Sequence, residues 1–175
     1  MREILFRGKR VDNGEWIYGV PITDKATGDA YIITSTAGAY LRSEINNMCA
    51  TGFRAIPETV EPCTGLTDKN GTRVFEGDVV KLFDIAIGEI VYGCGTFGIS
   101  CRQQIDYDYL ASEIASITGC DNTPMFCRND NFVSLWELYS NYNEENSEIS
   151  VIEVIGNICD NPELLKGEQK NETTT

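Results

Sequence analysis

The sequence predicts a mainly β protein whose C-terminal part folds into a small, strongly curled barrel. Short runs of alternating apolar and polar residues recur along the chain, as expected for half-buried strands. Glycines punctuate these runs, as bends and bulges in a curled sheet require. No helical pattern is long enough to cover both faces of a sheet, so an α/β fold is disfavoured.

Residues 2–20 are predicted to form an N-terminal β-hairpin arm. Asp12-Asn13-Gly14 separates two alternating runs, and an Asn-Gly turn in this position is the strongest short-range hairpin signal. An isolated two-stranded hairpin is only marginally stable in water, so its apolar residues need a partner in this chain or in a neighbouring copy. The four apolar residues concerned are Ile4, Phe6, Trp16 and Tyr18.

The next segments carry weaker patterns. Residues 29–34 predict a strand, and residues 41–49 predict a short helix with Leu41, Ile45 and Met48 on one face. Residues 53–62 are expected to be extended, because prolines 57 and 62 disfavour a helix before them.

The stretch from Cys63 to Val80 is the most informative part of the chain. Its turn signals are Thr64-Gly65, Asn70-Gly71 and Gly77-Asp78. Glycine adopts positive φ without a steric penalty, and Asn and Asp hydrogen-bond their own backbone at turns. We therefore predict tight turns that lead into a strand beginning at Asp78.

Five short strands follow, and five such strands suit a small barrel. They are predicted at residues 78–84, 87–93, 96–100, 131–139 and 150–158. An insertion at 103–130 separates the third from the fourth, with a short helix at 106–116 and a loop at 119–130. A helical turn at 162–166 and a disordered tail at 166–175 complete the chain. The predicted domains are an N-terminal β subdomain (1–62), a barrel domain (63–165) and the tail.

The charge is strongly negative and unevenly placed. The 175 residues include 14 Lys and Arg against 27 Asp and Glu, for a net charge of −13. Residues 1–62 have a net charge of −1 and residues 63–175 a net charge of −12. Nucleic-acid affinity rests on cationic side chains that neutralise phosphates, so no nucleic-acid partner is expected. No apolar run approaches the roughly 20 residues of a membrane helix, and the first residues lack a signal-peptide pattern, so we expect a cytoplasmic protein without a membrane partner.

The cysteines are predicted to be unbridged thiols. Seven are present without a C-x-x-C pair, and Cys94 and Cys101, like Cys120 and Cys127, are seven residues apart, which is too far for a usual zinc site. The chain has no histidine, so Ser-His and Cys-His catalysis are excluded.

Other candidate site residues have structural explanations. Four acids, Asp68, Glu76, Asp78 and Asp84, lie close in sequence and have oxygen ligands suited to a divalent cation, but their spacing is not that of a calcium loop. Turn and strand-start roles explain them better. We therefore predict no catalytic, cofactor-binding or metal-binding residue and no cofactor.

Two further groups of residues admit two interpretations each. The aromatic residues Trp16, Tyr18, Tyr92, Phe97 and Trp136 would form a stacking platform if exposed, but their alternating positions favour a place in the core. The basic cluster Arg2, Arg7, Lys9 and Arg10 is expected to be a solvated rim; the alternative is docking on an acidic part of this chain or of a neighbour.

Three blocks of the sequence resemble the YopX family, whose members are found mostly in phages and prophages. The blocks are ILFRGKRVDNGEWIYG at 4–19, CTGLTDKNGTRVFEGDVV at 63–80 and VIGNICDNPELL at 154–165. The resemblance implies an SH3-type barrel in the C-terminal part, in agreement with the strand count. It implies no activity, cofactor or catalytic residue. Cys159 and the 103–130 insertion depart from the family pattern.

Composition, motifs and resemblance together favour a non-enzymatic phage or prophage accessory protein that acts through protein contacts. Its partner is unknown, and a homo-oligomer is expected. The alternative is a small-ligand-binding protein or an enzyme with a carboxylate-lined site on the barrel. Nucleic-acid binding through the Arg2 to Arg10 cluster is a third reading, which the net charge disfavours.

Overall fold

The computed structural model describes residues 4–34, 52–83, 86–93, 95–102, 104–118, 131–142, 148–149 and 151–166. The chain divides into two compact units, Met1–Gly65 and Leu66–Thr175. The predicted helix at 41–49, the predicted loop at 119–130 and residues 167–175 of the predicted tail lie outside the described residues.

The N-terminal unit is built on an antiparallel sheet. Its strands are β1 (Phe6–Lys9), β2 (Trp16–Thr23), β3 (Ala30–Ile33), β4 (Gly52–Ala55) and the start of β5 (Glu61–Asp68), in the order β5-β1-β2-β3-β4. The predicted hairpin is confirmed: Lys9 lies opposite Trp16, and the Arg10 amide donates to the Glu15 carbonyl at 2.9 Å. The predicted strand at 29–34 is confirmed as β3.

The buried side of this sheet holds the core of the N-terminal unit. Ala30, Ile32 and Ala55 are nearly inaccessible to solvent. Gly8 lies against them, since a Cβ atom there would be only 3.3 Å from the Ala55 Cβ. A single bridge between Arg10 and Ala55 brings β4 back towards the end of β1, so the sheet curls around this core.

Two of the three predicted turns after Cys63 are confirmed, and one is wrong. Thr64-Gly65 is not a turn, because it lies inside β5, which pairs with β1 near one end and with β11 (Glu148–Ile149) at the other. Gly65 has φ of +86°, so glycine marks an irregular position within a strand here. The Gly71 amide donates to the Asp68 carbonyl at 2.9 Å, and β7 (Asp78–Leu82) begins at the predicted residue.

The C-terminal unit contains a five-stranded antiparallel sheet made from the five predicted strand regions. Its strands are β7, β8 (Ala86–Gly93), β9 (Thr96–Cys101), β10 (Phe132–Ser134) and β12 (Ile152–Asn157), in the order β10-β9-β8-β7-β12. The short strand β6 (Arg73–Phe75) pairs with β5. The mainly β prediction is confirmed. In the described part of the chain neither sheet closes into a barrel, and the SH3-like barrel is not confirmed.

One strand prediction in this unit is wrong over most of its length. Residues 131–139 form a strand only at Phe132–Ser134 and then enter helix α2 (Leu135–Tyr142). Leu135 and Leu138, three residues apart, are both buried, which is the spacing of one helix face. The Ser134 hydroxyl oxygen accepts a hydrogen bond from the Trp136 amide at 3.2 Å. This caps one of the backbone N–H groups at the start of α2 that have no acceptor within the helix.

Two helices cover one face of the five-stranded sheet. Helix α1 (Tyr107–Thr118) confirms the helix predicted at 106–116, and a 3₁₀ turn (Pro162–Leu165) lies within the turn predicted at 162–166. The core between helices and sheet is almost wholly aliphatic. It includes Val80, Leu82, Ile90, Ile99, Leu110, Ile114, Val133, Leu135, Leu138 and Ile152.

The Gly98→Ala substitution is expected to destabilise the protein by about 2 kcal/mol, the range typical of overpacking. A Cβ atom at Gly98 would lie 2.2 Å from the Phe132 ring and 2.7 Å from the Val133 carbonyl oxygen, so both ring and strand β10 must shift. Gly93→Ala is the matched control, since its Cβ atom would lie at an ordinary 3.7 Å from the same ring. Urea unfolding midpoints measure both. Equal midpoints for the two variants would contradict this account of β10 packing.

Candidate interaction surface

Asp68 is a buried turn carboxylate. Its side chain is fully inaccessible, and both oxygens accept backbone hydrogen bonds. Oδ1 accepts from the amides of Asn70 (2.9 Å) and Thr72 (2.8 Å), and Oδ2 accepts from the amide of Val154 at 3.0 Å. Burial by itself would raise the pKa of Asp68, but the three amide donors outweigh it and hold the pKa below the usual 3.8. The carboxylate thus joins the turn after β5 to strand β12.

Of the other acids considered from the sequence, Glu76 and Asp78 lie in the described residues. Asp78 is buried, and its Oδ2 accepts from the Phe75 amide at 2.8 Å, as expected for a residue that closes the turn before a strand. Glu76 is partly exposed, and Asp84 lies outside the described residues. Within the described segments, no three acidic or cysteine side chains converge as a metal site would need.

Glu89 is an acidic neighbour of Glu76 that was not predicted from the sequence. Partial burial raises the pKa of Glu89, the nearby carboxylate of Glu76 raises it further, and the cation of Arg102 opposes both. The pair stands on a turn and a strand that are distant in sequence, so spacing alone carries no signal of it. Two carboxylates beside an arginine are an ordinary surface charge cluster.

The three described cysteines are free thiols. Among Cys63, Cys101 and Cys159 there is no disulfide, and the other four cysteines are outside the described residues. Burial raises the pKa of the Cys101 thiol to about 11, so this side chain is an inert part of the core.

The basic cluster is not simply a solvated rim. Arg7 is buried, and its Nε donates to Glu61 Oε2 at 2.7 Å; both side chains are about nine-tenths inaccessible. The prediction of a solvated rim is therefore wrong for Arg7. Arg10 forms an ion pair with Asp12 and stacks on the Phe53 ring, whereas Arg2 lies outside the described residues.

Trp16 lies among the cations of this cluster. The Arg7 guanidinium carbon is 4.6 Å and the Lys9 Nζ 5.3 Å from the centre of its ring. Both distances are typical of cation–π interactions, which stabilise partly desolvated cations. The indole is half-buried, so it shields the Arg7–Glu61 pair from solvent on this side of the sheet.

The prediction that the other aromatic residues belong to the core is wrong for three of them. Tyr18, Tyr92 and Trp136 are between 49% and 64% exposed, and only Phe97 packs partly against the core. Tyr92 contacts Phe97 edge to face at 5.2 Å between ring centres. Alternation along a strand identifies two faces, but it does not say which of them the rest of the chain covers.

Strand β2 carries a row of exposed apolar side chains. Tyr18, Val20 and Ile22 (the β2 row) are 49%, 54% and 45% exposed at alternate positions, so they project from one face. Directly opposed residues of neighbouring strands share a face. The half-buried Ile33 and Tyr31 lie opposite Val20 and Ile22 and widen the row towards β3.

Charged residues at the two ends of this face are paired within the N-terminal unit. Arg7 lies opposite Tyr18 and is paired with Glu61, while Arg54 lies opposite Tyr31 and is paired with Asp29 at 2.5 Å. The row beyond Tyr18 was not predicted from the sequence. Its signal was present in WIYGVPIT, which has apolar residues on both faces of a strand.

The chain thus has two antiparallel sheet units with few helices and an apolar strand surface in the N-terminal unit. It belongs to the YopX family, because the model of the YopX protein family matches residues 5–166, nearly its whole length. The chain is also similar to the crystal structure of protein EF1440 from Enterococcus faecalis, with 21% identity, 94% of this chain and 99% of that chain covered, and a TM-score of 0.42. No curated protein matches it. Helices α1 and α2, with 12 and 8 residues, fall short of a membrane-spanning helix, and no other described helix qualifies.

Asp68→Asn is expected to cost about 2 kcal/mol at neutral pH, because an amide nitrogen replaces one buried acceptor. The folded pKa of Asp68 is depressed, so its contribution is complete above the unfolded value of 3.8 and is lost as pH falls through the folded value. The difference in unfolding free energy between wild type and variant should therefore narrow below pH 3.8. Denaturant unfolding at pH 7 and pH 3 measures it, with the exposed Glu163→Gln as control. A difference that is the same at both pH values would contradict the assigned role.

Glu61→Gln is expected to destabilise the protein by about 3 kcal/mol, because it leaves the buried Arg7 cation without its counter-charge. Asp29→Asn makes the same chemical change in the more exposed pair with Arg54, where solvent screens the charge, and should leave the unfolding midpoint nearly unchanged. Thermal and urea unfolding of both variants provide the comparison. A larger loss of stability in Asp29→Asn than in Glu61→Gln would contradict the view that burial makes the Arg7–Glu61 pair the more stabilising of the two.

Proposed function

We propose that this YopX-family chain is a non-enzymatic accessory protein of a phage or prophage that works through contacts with other proteins. The observation that carries the proposal is the β2 row. Its three apolar side chains stand in line, each about half exposed, with two further apolar residues beside them. Scattered exposed apolar residues are ordinary, but contiguous ones mark interaction surfaces.

The chemistry of the acids also supports binding rather than catalysis. A catalytic carboxylate needs an oxygen that reaches substrate. Both oxygens of Asp68 accept from backbone amides, those of its own turn and that of Val154 in β12, and one oxygen of Asp78 accepts from the Phe75 amide. The chain has no histidine to act as a base near pH 7. The described residues are therefore better suited to binding a protein surface than to acting on a small substrate.

Two finer features belong to the same proposal. The protein assembles with copies of itself, which is supported by the apolar side chains that the N-terminal hairpin leaves exposed. The C-terminal sheet is of the SH3 type, which is supported by its five short antiparallel strands in the order β10-β9-β8-β7-β12.

Val20→Glu is expected to abolish protein contacts without unfolding the chain. The side chain is 54% exposed, so a carboxylate is tolerated in the monomer, but it would be desolvated at an apolar interface. The measurement is affinity capture with chemical crosslinking in lysates of phage-infected or prophage-induced cells. Wild type should give discrete crosslinked species, formed with its own copies or with another protein. The amount of these species should be at least tenfold lower for the variant.

Ile87→Glu on strand β8 is the matched control, because Ile87 is also a strand residue with a half-exposed apolar side chain (42%) but belongs to the other unit. It should retain the crosslinked species. Wild type that captures nothing, or equal capture by wild type and Val20→Glu, would overturn the role proposed for the β2 row.

A further inference from the structure

Resting on the proposed function, we infer that the occupant of the β2 row is a second copy of this chain, related to the first by a two-fold axis that passes near Val20. In such an isologous contact the same patch serves both copies. Val20 is the middle residue of the row, so antiparallel apposition of two rows places Tyr18 of one copy near Ile22 of the other and Val20 against itself.

The charge distribution favours this occupant. Two chains that each carry −13 repel one another, and residues 63–175 hold almost all of that charge. The β2 row and its neighbours on β3 carry no charge, and Arg7 and Arg54 at its margins are paired inside their own unit. The face is therefore a place where two copies meet without opposing like charges. Two cations of this face, Arg7 and Arg54, are engaged by carboxylates, and Lys9 lies 5.3 Å from the centre of the Trp16 ring, so the face has little charge with which to select a nucleic acid or an acidic peptide.

The size of the face sets the strength of the contact. The row runs about 13 Å along β2, and β1 to β4 span about 14 Å across three inter-strand spacings. A surface of this extent, a few hundred Å² per copy, is smaller than the roughly 800 Å² per partner of a standard stable interface. The association should therefore be concentration-dependent, with dissociation in the micromolar range, unless further contacts add to it. An apolar contact of this kind is also expected to persist at 0.5 M salt.

The test uses purified full-length protein and two opposite charges at one residue. Sedimentation velocity and light scattering are measured from about 1 to 200 µM, a range that brackets micromolar dissociation. Wild type should pass from monomer to dimer over this range. Val20→Glu and Val20→Lys should each stay monomeric, because a two-fold axis near residue 20 brings two like charges together. An equimolar mixture of the two variants should dimerise again, since each Glu then meets a Lys.

Several controls keep the outcome decisive. Ile87→Glu should dimerise as wild type does, and circular dichroism with urea unfolding checks that each variant is folded. If Glu or Lys at residue 20 lowers the unfolding midpoint, Val20→Ser removes apolar area without adding charge and should weaken the dimer at least tenfold.

The remaining outcomes separate this inference from the proposed function. Wild type that is monomeric at every concentration, a Val20→Glu dimer, or a mixture that stays monomeric overturns the two-fold contact. If wild type is monomeric but captures a different protein that Val20→Glu loses, the second-copy inference fails while the proposed function stands. If neither self-association nor capture depends on Val20, both fail.

Discussion

The C-terminal unit depends on one buried carboxylate. The Asp68 carboxylate accepts hydrogen bonds from backbone amides of its own turn and from the amide of Val154, a residue 86 positions further along the chain. A buried charge would normally be costly, and here three donors compensate it. The same side chain therefore shapes the turn that leads to β6 and holds the last strand, β12, in place beside it. This requirement explains why an aspartate stands at the start of a turn that neutral residues could also form.

In the N-terminal unit, one face of the sheet packs against the core (the closed face), and the other is partly exposed to solvent (the open face). The closed face is narrow: Gly8 lies against Ala55, and a Cβ at Gly19 would collide with the backbone of Ile33. Larger side chains would force the strands apart. The open face carries the buried Arg7–Glu61 pair with Trp16 beside it and, further along β2, apolar side chains that the described residues leave half exposed. This combination of internally paired charges and an apolar row is the basis of the proposed contact with another protein surface.

Two acids of the C-terminal unit are buried and have structural roles. The acids with the strongest structural roles, Asp68 and Asp78, are consumed by backbone donors. The remaining acids of the C-terminal unit contribute to the net negative charge of residues 63–175, which would oppose the approach of a second copy at this unit.

The sequence by itself determined the elements whose signals are local. The Asn13-Gly14 hairpin, the turn at Asn70-Gly71 and the strand starting at Asp78 depend on backbone preferences of single residues, and all three are present. The YopX blocks likewise gave the family, which the match over residues 5–166 confirms. Helix α1 was predictable because its apolar spacing extends over three turns.

Only the tertiary structure decided features that depend on distant partners. Gly65 has the local chemistry of a turn but lies in a strand, because pairing near both ends of β5 outweighs it. Leu135 fits both a strand and a helix pattern, and burial of Leu138 on the same face selected the helix. Alternation identified two faces of β2 without saying which one would be covered. That choice was made by packing between β1, β3 and β4, which buried one face and left Tyr18, Val20 and Ile22 on the other.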